Sequence, residues 1–231
     1  DWPGYEAPQA EFCGVGPRRE AEMYRGWIGH DAELLVWEFN NAGVGFGSHY
    51  AGVGPRGENV MDWIGSAPGI ARKVLGALAG GADGMALWCV ADMYYHGGLK
   101  TGPMRFGLWR YIWEAWRPRP YFFYYAALVH AFRPGATLHR VTGDAPDGVL
   151  ALAATDGDGR VLAILNDADT PATVDVAASA CARRLRVRPD ALPLDDAVPL
   201  DDWADPPAGA GDTSLEMDAG ELTVLRMPCA E

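Results

Sequence analysis

Hydrophobic and polar positions fall into helical spacing first at residues 17–30, PRREAEMYRGWIGH. Met23, Trp27 and Ile28 share one face of a short amphipathic helix. Pro17 suits its first position, and Glu20 and Glu22 suit its N-terminal turn. The run Leu34-Leu35-Val36-Trp37 then predicts a strand over residues 34–39. A glycine-rich loop from Gly43 to Gly57 leads to a second predicted helix over residues 58–80, with a break at Ser66–Gly69. Its apolar stripe is Ile70, Val74, Leu75 and Leu78, and Gly80-Gly81 stops it. The continuous apolar run GMALWCVAD, residues 84–92, has strand length and suits a strand covered on both faces. After a further loop, the segment following Pro120 in YIWEAWRPRPYFFYYAALVHAF predicts a long apolar helix.

Residues 17–132 therefore alternate helix, strand, helix, strand, helix, which is the pattern of βα units on a parallel sheet. Two parallel strands do not make a stable sheet alone, so they are expected to complete something larger. From Ala136 onward the segments become short and β-like. GVLALAATDGDGRVLAILND predicts a hairpin turning at Asp156–Gly159, and TPATVDVAA, RRLRVRP and GELTVLRMP predict further strands. Residues 204–212, ADPPAGAGD, are expected to be loop. The expected organisation is a βα region over residues 1–134 and an antiparallel β-sandwich over residues 135–231.

Composition narrows the function classes. A 49% hydrophobic content in 231 residues supports a substantial core. The net charge of −12 argues against a nucleic-acid groove and against anionic membrane surfaces. There is no uninterrupted apolar run long enough to span a membrane. The segment DWPGYEAPQAEF has neither the basic nor the apolar region of a secretory leader, and it is loop-like rather than a natural domain start. Cys13, Cys89, Cys181 and Cys229 are far apart, with no Cys-x-x-Cys pair, so they are taken as free, mostly buried thiols. The aspartates of PLDDAVPLDDWAD lack the ordered spacing of a calcium loop and suit a solvated acidic surface. No phosphate-loop or dinucleotide fingerprint is present.

Chemistry gathers at the two predicted strand ends. Glu38 interrupts an apolar strand just before Asn40, Asn41 and glycines. Two explanations stay open: a reactive carboxylate at the C-terminal rim of a parallel sheet, or an acid paired with an arginine there. The second strand ends in Trp88, Asp92, Tyr94, Tyr95 and His96. An indole, a carboxylate and phenols suit a carbohydrate, whose C–H faces stack on rings and whose hydroxyls bond to acids. An aromatic edge of the core would have a similar composition. His49 and His96 lie in predicted loops beside these ends, placed to contact a hydroxyl.

Trp88-x-x-x-Asp92-x-Tyr94, then RFGLW at residues 105–109 and RPRPYFFYYAAL at residues 117–128, resembles the last βα unit of clan A glycoside hydrolases. The likeness is closest to family 39, the β-xylosidase and α-L-iduronidase group. ELLVWEFNN resembles the seventh strand of that group, which carries the nucleophile. The hairpin at residues 148–167 resembles the β-sandwich after its barrel. Departures are Val36-Trp37 before Glu38, where the group has threonine, and Cys89-Val90-Ala91, where it has small polar residues.

The resemblance implies the C-terminal part of a (β/α)8 TIM barrel followed by an antiparallel β-sandwich. It implies a retaining glycosidase with Glu38 as nucleophile and Trp88 as the floor of a sugar subsite. Asn40 would donate to Glu38, while Asp92, Tyr94, His49 and His96 would contact hydroxyls. No metal or organic cofactor is implied. Retaining glycosidases need a second carboxylate as acid/base, and none of Glu6, Glu11, Glu58 or Asp83 suits the role. An upstream half or a second polypeptide is therefore expected to complete the barrel. A cleaved or split barrel would account for the loop-like opening segment. The alternative is a non-catalytic carbohydrate-binding subunit or a degenerate glycosidase relative. Lys100 and Arg105 are candidates for a uronic acid, or simply solvated loop charges; the sugar and the compartment stay open.

Overall fold

The computed structural model describes residues 15–39, 64–92, 107–178, 182–192 and 211–228, with the backbone alone at residues 15–17, 37, 38, 178, 211–213 and 228. Helix α1 (Val15–Ile28) leads into strand β1 (Leu35–Phe39), and helix α2 (Pro68–Ala79) leads into β2 (Gly84–Leu87). Helix α3 (Pro120–Ala131) follows. β1 and β2 pair in parallel, Leu35 opposite Gly84 and Val36 opposite Met85. Proline occupies the first turn of both α2 and α3, where its missing N–H has no intrahelical partner to lose.

Three details differ from the expected elements. β2 stops at Leu87 rather than near residue 92, because residues 89–92 turn away to pair with residues 107–109. α2 begins at Pro68, after a short 3-10 turn at Ile64–Ser66. On α1, the face carrying Met23, Trp27 and Ile28 is exposed, and among the described side chains of the helix Ala21 is the buried one. The reason is close packing on α2: a Cβ at Gly80 would lie 2.4 Å from the Arg18 carbonyl oxygen and 2.8 Å from Ala21 Cβ. At such a crossing only small side chains fit.

The rest of the chain is antiparallel. β3 (Thr137–Arg140), β4 (Val149–Asp156), β5 (Gly159–Asn166), β7 (Arg183–Val187) and β9 (Leu222–Pro228) form one sheet in the order β3-β4-β5-β9-β7. β6 (Ala172–Ala178) and β8 (Gly211–Met217) form a separate ribbon. The β4–β5 hairpin closes with Asp156 opposite Gly159, as its sequence suggests. β8 falls partly in the predicted loop, and its Leu215 and Met217 are nevertheless buried.

Alternation sorts the sheet's side chains to two faces. Leu152, Val161, Ala163, Leu165, Val187 and Val224 join Ile70, Leu75, Tyr121, Tyr124 and Leu128 of α2 and α3 in one core. Ile164 and Leu225 point the other way, onto Val176, Leu215 and Met217 of the ribbon. The central strands are covered on both faces, and VLAIL, residues 161–165, is accordingly an unbroken apolar run. The result is a sheet-rich α+β structure. Its two parallel strands are too few to close a barrel among the described residues.

Polar ties bind helices to sheet. Arg72 of α2 pairs with Asp167, whose carboxyl burial pushes above its ordinary range despite that partner. Tyr124 of α3 donates its hydroxyl to the Gly220 carbonyl at 2.8 Å. Buried Asn166 donates to the carbonyls of Thr170, Met217 and Asp218. No helix among the described residues is long and apolar enough to cross a membrane.

Candidate functional site

The parallel pair has two ends, and they are built differently. Where the chain enters the strands, Arg25 of α1 donates to the carbonyls of Gly81 and Ala32 and pairs with Asp83. Asp83 also accepts the Leu34 N–H at 2.7 Å, and that bond, with the Arg25 charge, holds its carboxyl below the ordinary range. The Asp83 expected at a turn thus ties α1 to both strands. Beside it lies a cleft of about 340 Å³ lined by Asp83, Leu138, His139 and Arg140 among others. Arg140 is engaged there with Glu22 and the Ala79 carbonyl.

At the C-terminal end, Trp88 N–H donates to the Phe39 carbonyl at 2.9 Å. Phe39 is opposite Leu87, three residues after Val36, while its partner strand advances only two, from Met85 to Leu87. The extra residue falls at Trp37-Glu38, an irregularity of the β-bulge kind. Bulges recur beside active sites, where they end or redirect a strand. Glu38 therefore sits in the backbone irregularity at the rim, next to the residue that bonds Trp88. Tyr125 of α3 backs this rim: its ring lies 6.1 Å from that of Phe39, and burial pushes its hydroxyl pKa up.

Beyond Trp88 the chain crosses a cis peptide to buried Cys89, a free thiol that burial and then the nearby Asp92 charge push up to about 11. Cys89 and Val90 carbonyls accept the N–H groups of Leu108 and Trp109, and the Trp109 carbonyl accepts that of Asp92. The Leu108 carbonyl in turn accepts Arg119 N–H. Three segments that follow β2 are thereby laced together.

Asp92 holds that lacing. Its two oxygens accept Arg119 Nη1 at 2.8 Å and Nη2 at 2.9 Å, a bidentate fork, and Oδ1 also accepts Gly107 N–H at 2.9 Å. Arg119 Nη1 returns to the Gly107 carbonyl at 3.0 Å. Both side chains are fully buried. Sequence reasoning places Asp92 against substrate hydroxyls; the geometry instead turns its carboxylate inward, onto a guanidinium. Gly107 is required by close approach, since a Cβ there would lie 2.2 Å from Asp92 N.

Of the candidate residues, Glu38 and Trp88 are brought to adjacent strand ends, and Asp92 lies just behind them. Asn40, His49, Tyr94 and His96 lie outside the described residues, as do Lys100 and Arg105. Arg119, Gly107 and Tyr125 are the positioning residues that sequence reasoning does not single out. An arginine directly before the proline that starts an apolar helix is the signal for Arg119: buried there, it demands a carboxylate. Among the described residues no group of three His, Cys, Asp or Glu side chains is arranged to hold a metal ion.

The fold places this chain beside a class of solved structures that includes glycoside hydrolases. One is a family 30 endoxylanase from Clostridium papyrosolvens C71, with a TM-score of 0.60, 10% identity, and cover of 92% of this chain and 46% of that one. Another is the family 30 subfamily 8 xylanase of Clostridium acetobutylicum, with a TM-score of 0.57, 12% identity, and cover of 84% and 42%. A monomeric β-xylosidase from Caulobacter crescentus CB15 matches with a TM-score of 0.54, 21% identity, and cover of 94% and 50%. At these identities the likeness is one of fold. The chain spans half or less of the length of each. No protein-family model and no curated protein matches the sequence.

Proposed function

We propose that this chain is the C-terminal part of a clan A glycoside hydrolase that cleaves glycosidic bonds with retention, and that Glu38 is its nucleophile. One observation carries the reading: Glu38 and Trp88 stand at the adjacent C-terminal ends of two parallel strands, in a fold shared with glycosidases. In barrels of this kind chemistry gathers at that end. The motif at residues 88–128 supports family 39 within the clan; the neighbours labelled family 30 support the clan more broadly.

The Glu38 carboxylate attacks the anomeric carbon. A C–O ester bond to the enzyme forms as the glycosidic C–O bond breaks, and an acid protonates the departing oxygen. Water, deprotonated by the same acid/base, then attacks the anomeric carbon and releases Glu38 and a sugar of retained configuration. Glu38 must be ionised at rest, a form that a donor such as Asn40, or an arginine or tyrosine of the completing segment, would favour. Trp88 forms the floor on which the sugar ring rests. The acid/base comes from a segment or partner polypeptide that completes the barrel, which the two parallel strands and the chain's share of its neighbours' length support. Asp92 acts through Arg119, fixing the loop that carries the rim.

Native mass spectrometry of the purified protein tests the completing polypeptide, expected at roughly 30 to 40 kDa from the size of a barrel. In that assembly, aryl β-xylosides and β-glucosides should be hydrolysed with retention, followed by NMR of the first-formed anomer. Glu38→Ala should lower kcat by at least about 10⁴-fold, with azide restoring turnover as a glycosyl azide. Full activity in the variant would end the nucleophile assignment. Oligosaccharide binding without turnover, unchanged in Glu38→Gln, would favour a non-catalytic binding subunit.

A further inference from the structure

The loop after Trp109 is closed by Arg110 N–H donating to the Arg117 carbonyl at 2.9 Å, and it runs through a 3-10 turn at Ile112–Glu114. It gathers three aromatic rings: Tyr111 lies 4.7 Å from Trp113 and 5.9 Å from Trp116 between centroids. Yet the cluster is not core. Trp113 is 70% exposed and Trp116 47%. An apolar surface so concentrated marks an interaction site. The backbone beneath it is unusual as well. Ala115 and Trp116 are consecutive left-handed residues at φ 56° and 53°, a conformation that bulky side chains rarely adopt and that collects at ligand-holding loops.

The base of the loop is tied down on both sides. Trp109 bridges Ala91 on one side and Pro118 on the other, and the Asp92–Arg119 pair lies directly below. The loop thus rises from the connection that leaves the C-terminal end of β2, the end where Trp88 meets Phe39. Flat rings held at fixed tilts and exposed, on the connection that leaves β2, match the C–H faces of pyranose rings better than they match a peptide's mixed surface.

We infer that Tyr111, Trp113 and Trp116 form a stacking platform for a pyranose ring of a neutral β-linked oligosaccharide, set apart from the ring cleaved at Glu38. The inference rests on the glycosidase reading for its ligand class. Its test uses two readouts that fail separately. Xylotetraose and cellotetraose are titrated into the assembled protein with tryptophan fluorescence and calorimetry, and kcat/KM is compared between aryl monoglycosides and tetrasaccharides. Trp113→Ala and Trp116→Ala should each weaken tetrasaccharide binding about tenfold, the upper range of a stacked aromatic contact. Monoglycoside turnover should be unchanged, and Trp113→Phe should retain most of the affinity.

Equal tetrasaccharide affinity in wild type and Trp113→Ala overturns the platform while leaving monoglycoside hydrolysis to stand. Loss of tetrasaccharide binding in Trp113→Ala, in a protein that hydrolyses no glycoside, supports the platform and sinks the catalytic reading. No tetrasaccharide binding together with a changed native mass in Trp113→Ala overturns the proposal in favour of a protein interface.

Discussion

The antiparallel sheet and the parallel pair reach order by different routes. In the sheet, β4, β5 and β9 each have a strand on both edges, the helices on one face and the ribbon on the other. In the pair, β1 and β2 have one described neighbour each, and every residue of β2 stays half-buried. What the pair lacks in cover it gains from ion pairs set at its two ends, Arg25–Asp83 where the strands begin and Asp92–Arg119 where the chain leaves them. A region held this way is sensitive to single polar changes, and a region held by a two-faced core is sensitive to volume. The lesson is physical: hydrophobic burial is spread over many side chains, whereas a buried ion pair concentrates its contribution in two.

Changes can break that contrast from the largest effect down. Glu38→Ala removes the proposed chemistry and is expected to leave the melting temperature of the assembly nearly unchanged; a large loss of stability would mean that Glu38 is a structural acid. Asp92→Ala leaves the Arg119 guanidinium buried without its partner and should cost about 3–5 kcal/mol in denaturant unfolding. Hydrogen exchange should then rise first at β1, β2 and residues 107–119 while β4 and β5 stay protected. The pair Asp92→Leu with Arg119→Met should recover much of the loss, and failure to do so would mean the ion pair does more than fill space. Gly107→Ala drives a methyl into the Ala91-Asp92 backbone and should cost about 1–3 kcal/mol, read as a lowered unfolding midpoint.

Within the sheet, acid is the sharper probe. Burial alone would raise the Glu221 pKa. The Arg186 fork at 2.6 Å, the Thr223 hydroxyl and the Asp218 N–H overcome it and hold the carboxyl below its ordinary value of 4.5. A depressed carboxylate stabilises above its unfolded pKa, and the contribution is lost as pH falls through the folded one. Stability should therefore decline below about pH 4.5, and Glu221→Gln should flatten that limb; an unchanged acid profile would assign it to other carboxylates. The smallest change is Tyr124→Phe, which removes the hydroxyl bond to Gly220 and should cost about 0.5–1.5 kcal/mol. A neutral result would show that α3 docks on the sheet by apolar packing alone.

Much of this was legible in the chain. Spacing placed α2 and its buried stripe of Ile70, Val74 and Leu75, and proline marked the start of α3. The apolar runs and the turn at Asp156–Gly159 specified the β4–β5 hairpin, whose pairing the structure shows. The apolar runs that end at Glu38 and Trp88 were also visible, and the structure brings those two backbone positions to adjacent strand ends. Periodicity and turn chemistry act over a few residues, so a sequence records them directly.

Tertiary structure decided the rest. It ended β2 at Leu87, left Met23 and Trp27 outside because α1 meets α2 through Ala21 and Gly80, and buried β8 against β5 and β9. It also changed the place of Asp92. A carboxylate at a strand end has the same letter whether it faces a sugar or a guanidinium, and its partner lies 27 residues away in sequence. Which charge is buried, and against what, is set by how distant segments meet, because the cost of desolvating an ion depends on its surroundings in space and not on its neighbours along the chain.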